Sequence, residues 1–195
     1  MRRRLRTVTI GLLLAVALAG CTETVAEVSG SDAGGDGAVV TDGAVQEYRT
    51  PRTPVEFSGR TITGSTFRSK DHLGKVLVVN FWYAGCPPCR AEAPTLRRLS
   101  DRFASQGVQF VGVDVRDDAS TAAAFDREFS IPYPSILDAG SGTVQLAFSR
   151  DIKANAVPTT LVLDRQGRVR ARILGGISAP SVLSTLISDA VAAKS

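Results

Sequence analysis

The feature that most constrains the fold is a pair of cysteines that stands between a predicted strand and a predicted helix. Residues 76–82 form a short, almost continuous apolar run rich in β-branched and aromatic side chains, which is typical of a strand buried on both faces. Cys86 and Cys89 follow within a few residues, and the apolar side chains beyond them recur at helical spacing. The sequence therefore predicts a Cys-x-x-Cys pair at the start of a helix that follows a buried strand.

The start of a helix favours thiolate chemistry. The amide N–H groups of the first turn have no intrahelical partner and the helix dipole is positive there, so we expect a Cys86 thiolate to be stabilised. Pro87 and Pro88 suit this turn because a missing N–H costs least at its first positions. Cys89 lies one turn further along, where its thiol can resolve a mixed disulfide formed on Cys86. The spacing thus predicts thiol–disulfide exchange.

Two other uses of the cysteine pair stay open at this point. An inert disulfide staple is less favoured, because a four-residue loop constrains the unfolded chain little. A zinc site normally has four nitrogen or sulfur ligands, and the sequence offers a single histidine, His72. A copper site would recruit histidine or methionine, and the one methionine is Met1. We therefore expect no metal and no organic cofactor, and we interpret His72 as a surface loop residue.

The N-terminus is predicted to be an export signal. Residues 1–20 contain four arginines and no acidic residue, and an apolar run extends from Val8 to Ala19. At about 1.5 Å per residue this run falls well short of a ~30 Å hydrocarbon core, so a signal peptide fits better than a membrane-spanning helix. The segment Leu18-Ala19-Gly20-Cys21 resembles the lipobox of bacterial lipoproteins, in which Cys21 would become the lipidated first residue. A plain signal peptide and an uncleaved anchor are the alternatives.

Charge argues against a nucleic-acid-binding function. The chain of 195 residues has a formal charge of +4, with 23 basic and 19 acidic residues. Four of the basic residues are the arginines of 1–20, so the remainder is neutral, with 19 of each sign. A nucleic-acid footprint needs a clustered basic excess. With 44% hydrophobic and 22% charged residues, the composition is that of one globular domain with appendages.

Three segments are predicted along the chain. Residues 1–20 form the signal peptide. Residues 21–57 form the lipidated cysteine and a flexible tether, because this stretch is rich in glycine and acids and has almost no periodic apolar face. Residues 58–195 form the folded domain. Whether 51–57 belongs to the tether or packs on the domain as an arm is open from the sequence alone.

The spacing of apolar residues predicts the other elements of the domain. In chain order they are a strand over 108–115, a helix over 119–129, a short helix over 143–148, a hairpin formed by 159–163 and 168–174, and a helix that begins at Pro180. Combined with the strand over 76–82 and the helix after it, this order predicts an α/β fold. Its mixed central sheet would be flanked by helices on both faces.

The segment from Phe81 to Pro94 resembles the active-site segment of the thioredoxin superfamily. Within that superfamily the extracytoplasmic TlpA, ResA and DsbE-like branch is the most similar, and the likeness covers roughly residues 58–190. Pro94 matches the kink proline of the active-site helix, and Val157-Pro158-Thr159 matches the cis-proline segment that faces the disulfide. The resemblance implies a thioredoxin-like fold with the insertion of the TlpA/ResA branch near residues 131–134.

The resemblance also implies roles for residues around the cysteines. Thioredoxin has a buried Asp where this chain has Asn80, whereas the ResA-like branch combines an Asn there with a Glu that matches Glu92. Glu92 lies three residues after Cys89, on the same helix face, and is therefore expected to accept the proton of Cys89. A solvent-facing Glu is the alternative. Val157 and Pro158 are expected to hold an extended substrate segment by β-augmentation.

On this resemblance we expect a lipid-anchored, extracytoplasmic thiol–disulfide oxidoreductase with a Cys86–Cys89 redox disulfide, and the reductase direction is favoured. Its substrates would be protein thiols or disulfides, including apocytochrome c, and a CcdA-like membrane protein would supply electrons. The alternatives are a DsbE-like oxidant, a thiol peroxidase, and a lipoprotein that only binds a partner or copper. Peroxiredoxins carry Thr where this chain has Tyr83. Gly85 replaces the large residue of many relatives, which alters the expected partner surface.

Overall fold

A seven-stranded mixed sheet organises the protein in this computed structural model, which describes residues 38–41, 44–50, 52–153 and 156–193. The strands are β1 (Ala38–Thr41), β2 (Val45–Tyr48), β3 (Ser58–Arg60), β4 (Thr66–Arg68), β5 (Leu77–Trp82), β6 (Gln109–Asp114), β7 (Ser135–Leu137), β8 (Thr159–Leu163) and β9 (Val169–Leu174). The helices are α1 (Pro87–Phe103), α2 (Ala119–Phe129), α3 (Thr143–Ala147) and α4 (Pro180–Ala192). The strand order is β1-β2-β9-β8-β5-β6-β7, and β3 and β4 form a separate two-stranded sheet.

Strand β5 lies in the interior of the sheet, between β8 and β6, and leads into the site. All six of its residues are buried, which explains why the run of apolar residues shows no alternation. It pairs in parallel with β6 and antiparallel with β8. Asn80, the polar residue in the middle of β5, is opposite Gly112 of β6 and Thr160 of β8. The chain leaves β5 at Trp82, and α1 begins at Pro87.

The two faces of the sheet bury separate apolar clusters. On one face, side chains of α1 and α4 pack against the sheet; the largest are Leu96, Leu99, Phe103, Leu183, Leu186 and Ile187. On the other face, the sheet packs against the β3–β4 hairpin and α3, through residues that include Phe57, Phe67, Val144 and Phe148. The predicted thioredoxin-like arrangement, a mixed sheet with helices on both faces, is confirmed.

The folded domain starts earlier than predicted. Strand β2 lies inside the predicted tether, yet it pairs antiparallel with β9, and Val45 and Tyr48 are buried in the two clusters. Phe57 is also buried and stacks on Phe67, so the arm alternative for 51–57 fits its described residues. The boundary at 58 is therefore wrong. A four-residue strand takes its stability from the sheet edge it joins, which segment composition does not reveal. The predicted signal peptide, Cys21 and the tether up to 37 lie outside the described residues.

The longer elements were predicted within one or two residues, and α2 has the predicted bounds. The sequence analysis missed β3, β4 and β7, which are three residues each. Such short strands show no periodicity, and β7 follows Pro134 directly. In the part of the chain that the structure describes, no helix has the combination of length and apolar character needed to cross a membrane.

Candidate active site

The two cysteines form a disulfide at the N-terminus of α1. The Cys86 and Cys89 sulfurs are bonded, and the Cα atoms are 5.2 Å apart. Cys86 is the N-cap residue of the helix, and its Sγ accepts a hydrogen bond from the Cys89 amide at 3.2 Å. Pro87 and Pro88 occupy the first turn, as expected. A helix start with an amide directed at sulfur stabilises negative charge on Cys86 when the disulfide is open.

Both sulfur-bearing residues lie just below the surface. Cys86 is 1% exposed and Cys89 2% exposed, whereas Gly85, Pro87 and Pro88 around them are exposed. A partner protein would therefore contact the exposed Gly85, Pro87 and Pro88 before it reaches the Cys86 sulfur.

The Tyr83 ring lies against the position that a large residue at 85 would occupy. A side chain built at Gly85 would begin 3.5 Å from Cε2 of Tyr83. The guanidinium of Arg116 lies 4.2 Å from the centre of the Tyr83 ring, a cation–π contact that orients the ring. The Tyr83 ring therefore lies beside Gly85 at ordinary contact distance.

Glu92 is buried behind the disulfide and does not face solvent. Only 3% of the residue is exposed to solvent. Oε1 accepts a hydrogen bond from Nδ2 of Asn80, and Oε2 accepts one from the backbone amide of Ile177, each at 2.9 Å. Burial raises the pKa of Glu92 from 4.5 to about 7, and the two hydrogen bonds only partly oppose this rise. A carboxyl group with such a pKa can both take and return a proton near neutral pH.

Asn80 holds Glu92 in place, a function that the sequence analysis did not assign to it. Its Nδ2 donates to Glu92 and also to Oγ1 of Thr160 at 3.1 Å. The available signal was a polar side chain in the middle of an otherwise apolar strand, since such a group must find partners when buried. The amide of Ile177, which follows β9, was also missed because it reaches Glu92 from 85 residues away.

The Val157–Pro158 bond is cis, as expected from the resemblance. Val157 is half-buried and packs against the apolar cluster that contains Trp82, Cys86 and Cys89. Pro158 is buried, and its carbonyl accepts a hydrogen bond from the amide of Gly175 at 2.9 Å. Among the described residues, the backbone groups of Val157 have no hydrogen-bond partner. An edge of free backbone therefore lies beside the disulfide.

The loop after β6 fixes the residues that precede Cys86. Asp114 is fully buried, and its Oδ1 accepts hydrogen bonds from the amides of Arg116 and Asp117 at 2.9 and 2.8 Å. Asp117 in turn accepts a hydrogen bond from the amide of Ala84. Burial raises the pKa of Asp114 to about 6. This chain of hydrogen bonds positions the turn from β5 to α1.

Helix α2 supports α1 beside the site. Arg90, on the first turn of α1, forms an ion pair with Glu128 and lies 5.0 Å from the Phe129 ring centre. Trp82 packs against Phe125 with ring centres 4.2 Å apart, so its contribution is packing. His72 stacks on Phe67 in a 3-10 helix over Ser69–His72 and is half-buried rather than freely exposed. Over the described ranges, no group of three or more His, Cys, Asp or Glu side chains is arranged to hold a metal ion.

The redoxin family matches residues 44–187, which is most of the chain. This protein is a redoxin. The match begins at β2 and so agrees with the early start of the folded domain.

Two curated relatives are named for thiol–disulfide chemistry. The thiol:disulfide interchange protein DsbE of Pseudomonas aeruginosa is 36% identical over 105 residues, which are 54% of each chain. The thiol-disulfide oxidoreductase ResA of Halalkalibacterium halodurans is 25% identical over 130 residues, which are 67% of this chain and 71% of that protein. The redoxin thus spans about half the length of the Pseudomonas relative.

A solved structure has the same fold. The crystal structure of a thiol:disulfide interchange protein of the thioredoxin family from Chlorobium tepidum matches with a TM-score of 0.66 and 29% identity. The match covers 72% of this chain and 97% of that one. The redoxin therefore belongs to the TlpA, ResA and DsbE-like branch of the thioredoxin superfamily, a branch of thiol–disulfide oxidoreductases.

Proposed function

We propose that this redoxin is a membrane-anchored, extracytoplasmic protein disulfide reductase that cycles the Cys86–Cys89 pair. The observation that carries the proposal is the disulfide at the N-terminus of α1 with the buried Glu92 three residues after Cys89 on the same helix. The relatives named as thiol–disulfide oxidoreductases support the same chemistry.

In the first step, the Cys86 thiolate of the reduced protein attacks one sulfur of a substrate disulfide. A Cys86–substrate disulfide forms, the substrate S–S bond breaks, and the second substrate sulfur leaves as a thiolate. The helix N-terminus and the Cys89 amide stabilise the negative charge that Cys86 carries before attack.

In the second step, Cys89 loses its proton and attacks Cys86 Sγ. The Cys86–Cys89 disulfide forms, the remaining substrate sulfur leaves as a thiolate, and two electrons have passed to the substrate. Glu92 accepts the Cys89 proton, since its pKa of about 7 makes it a carboxylate in part of the molecules at neutral pH. Asn80 and the Ile177 amide hold that carboxylate in its orientation.

Substrate recognition is assigned to Val157 and Pro158. The free backbone groups of Val157 can pair with an extended substrate segment, as in β-augmentation. The Tyr83 ring and the exposed prolines next to Cys86 would contact the same segment. The disulfides of apocytochrome c and of other proteins are the proposed substrates.

Anchoring is assigned to the N-terminal segment. Cys21 is the proposed lipidation site, and acyl chains contribute about 0.8 kcal/mol per buried CH₂ toward membrane binding. An anchored protein outside the cytoplasm needs a source of electrons, and a CcdA-like membrane protein is the proposed donor. No metal or organic cofactor takes part in either step.

Trapping of the mixed disulfide tests the roles of the two cysteines. We expect Cys89→Ser to accumulate proteins bound to Cys86, because the second step is blocked. The matched variant Cys86→Ser should trap none and should lose activity. If Cys89→Ser traps nothing and keeps its activity, the assignment of roles is wrong. If Cys86→Ser keeps the biological function, the protein acts as a binding module instead.

A further inference from the structure

A second group of polar side chains lines a small, partly open cavity that Cys89 borders. The cavity has a volume of about 10 Å³, about the least that holds one water molecule. Its polar lining residues are Asn80, Cys89, Asp126, Tyr133 and Ser135. The rest of the lining is apolar and includes Trp82. The cavity therefore brings the resolving cysteine together with Asp126, Tyr133 and Ser135, which the mechanism above does not use.

Two of these groups have unused hydrogen-bonding atoms. Within the described residues, Oδ1 of Asp126 and Oγ of Ser135 are buried and make no hydrogen bond of good geometry with another protein atom, although the Ser135 hydroxyl lies close enough to the Asp126 carboxyl group to lower its pKa. Buried polar atoms are rarely left without a partner. One water in the cavity could donate to the Asp126 carboxylate and bond to the Ser135 hydroxyl, so volume and chemistry agree.

Asp126 also reaches the outside of the protein. It lines a surface groove of about 630 Å³ together with Ile131, Tyr133 and Ser135, all of which line the cavity beside Cys89 as well. Exposed residues of the groove, such as Arg127 and Pro132, show that it opens to solvent. One carboxyl group thus borders both the cavity beside Cys89 and a solvent-filled groove.

The surroundings of Asp126 suit proton transfer near neutral pH. Three titratable groups face it: Asp114 at the end of β6, Tyr133 before β7, and Cys89 on α1. Arg127 lies beside it in the groove. Burial raises the pKa of Asp126 to about 7; Ser135 opposes the rise, and the Asp114 carboxylate adds to it.

Tyr133 lines the cavity and lies within electrostatic reach of both carboxyl groups. Burial of its hydroxyl raises the pKa of Tyr133, and the charges of Asp126 and Glu92 raise it further. Its side chain is therefore near both acids. Glu92 itself is 3% exposed and has both oxygens engaged, so a proton that it holds has no direct contact with solvent.

We propose that Asp126 is a second proton acceptor for Cys89, which it serves through one water in the cavity, and that the groove carries the proton to solvent. The inference rests on the proposed function and extends its second step. The Cys89 S–H bond breaks, the water passes a proton to Asp126, and the Cys89 sulfur bonds to Cys86 Sγ as the substrate thiolate leaves. Asp126 then releases its proton into the groove.

A single-turnover experiment isolates this step. The full chain with Cys21→Ser is reduced and mixed with an aromatic disulfide reagent whose released thiolate absorbs visible light. Attack by Cys86 releases the first thiolate at a rate that depends on the reagent concentration. Attack by Cys89 then releases the second at a rate that does not, and Cys89→Ser identifies this phase by its absence. The second phase is measured from about pH 5 to pH 9 in the parent, Asp126→Asn, Ser135→Ala and the control Asp101→Asn, an exposed residue of α1.

We expect Asp126→Asn to slow the second phase by at least about tenfold at pH 7. The effect is smaller than the roughly 10²–10⁴-fold loss expected when the sole proton acceptor is removed, because Glu92 remains. The rates should converge at high pH, where hydroxide removes the proton. Ser135→Ala should change the rate in the same direction, and Asp101→Asn should match the parent. Asp126→Asn should also slow Glu92→Gln further.

Three outcomes would overturn the inference. The second phase of Asp126→Asn could equal that of the parent at every pH. It could be slowed equally at all pH values, as expected for a structural defect. Ser135→Ala could leave the rate unchanged while Asp126→Asn lowers it, which would remove the cavity water from the path. A parent protein with no second phase would instead overturn the proposed function.

Discussion

Two buried carboxylates, Glu92 behind the disulfide and Asp138 before α3, have opposite surroundings. Asp138 is fully buried and accepts five hydrogen bonds, from the hydroxyls of Ser141 and Thr143, the amides of Val144 and Gln145, and the Gln145 side chain. Glu92 is equally inaccessible but accepts only two. Its desolvation is therefore poorly compensated, and its pKa rises to about 7.

The difference separates a structural acid from one suited to proton transfer. Asp138 fastens the loop before α3 to the N-terminus of that helix, and its oxygens have no capacity left for another group. Glu92 is held in orientation by Asn80 and Ile177 yet remains easy to protonate. Four predictions use this contrast, in order of decreasing effect.

The largest effect is the part of the pH dependence of stability that comes from Glu92. Its pKa is higher in the folded protein than its ordinary value of 4.5, so the folded state binds the proton more tightly. The stabilisation is complete below about pH 4.5 and is lost as pH rises through 7, an effect of about 3 kcal/mol. Urea unfolding at several pH values should show a loss that is about 3 kcal/mol larger in the parent than in Glu92→Gln, where Asp114 and Asp126, whose pKa values burial also raises, still contribute. Parallel stability curves for the two proteins would contradict the assignment.

Glu92→Gln should slow the intramolecular attack of Cys89 by about 100-fold at pH 7. This is the lower limit of the roughly 10²–10⁴-fold rate loss expected on removal of a general base, because Asp126 remains. The inflection that Glu92 contributes near pH 7 should disappear from the pH profile. The second-phase rate of the single-turnover experiment provides the measurement. A parent-like rate in Glu92→Gln would show that Cys89 does not need this carboxyl group.

Asp138→Asn is the matched change at the structural carboxylate. The amide NH2 group would replace one of the two acceptor oxygens and would itself face donors, so we expect a loss of about 2 kcal/mol in the free energy of unfolding. The melting temperature should fall by about 4–8 °C. The second-phase rate per folded molecule should stay that of the parent. A pH-dependent loss of rate in this variant would remove the distinction between the two acids.

The smallest effect is expected for Asn80→Ala. The hydrogen bond from Asn80 lowers the pKa of Glu92, so its loss should move the inflection in the pH profile upward, by no more than about one unit. The rate at pH 7 should fall severalfold, since fewer molecules carry the Glu92 carboxylate. In a Glu92→Gln background the same change should leave the pH profile unmoved; a shift there would mean that Asn80 acts on another group.

Much of the fold could be predicted from local patterns. Strand β5 and helix α2 have strong apolar spacing and need little information from distant residues. Strands β2 and β7 could not be predicted in this way, because each is stabilised by pairing with a strand far away in sequence. The early domain start was missed for the same reason.

The same distinction between local and long-range information applies to the residues of the site. The cysteine pair and the place of Glu92 follow from spacing along a single helix, and the cis bond before Pro158 follows from the resemblance. The partners that set the chemistry of Glu92 come from β5 and from Ile177, so the sequence pattern does not show them. Asp126 reaches the cavity only because α2 packs beside α1.

The reduction potential of the Cys86–Cys89 pair tests the central claim most directly. It would be measured by equilibrating the full chain with Cys21→Ser in thiol–disulfide buffers and quantifying the oxidised fraction. A reductase of this kind should cycle reversibly with a potential near thioredoxin's roughly −270 mV. A potential near DsbA's roughly −120 mV would contradict the reductase direction and make the protein a disulfide donor. A pair that cannot be cycled would contradict the account altogether.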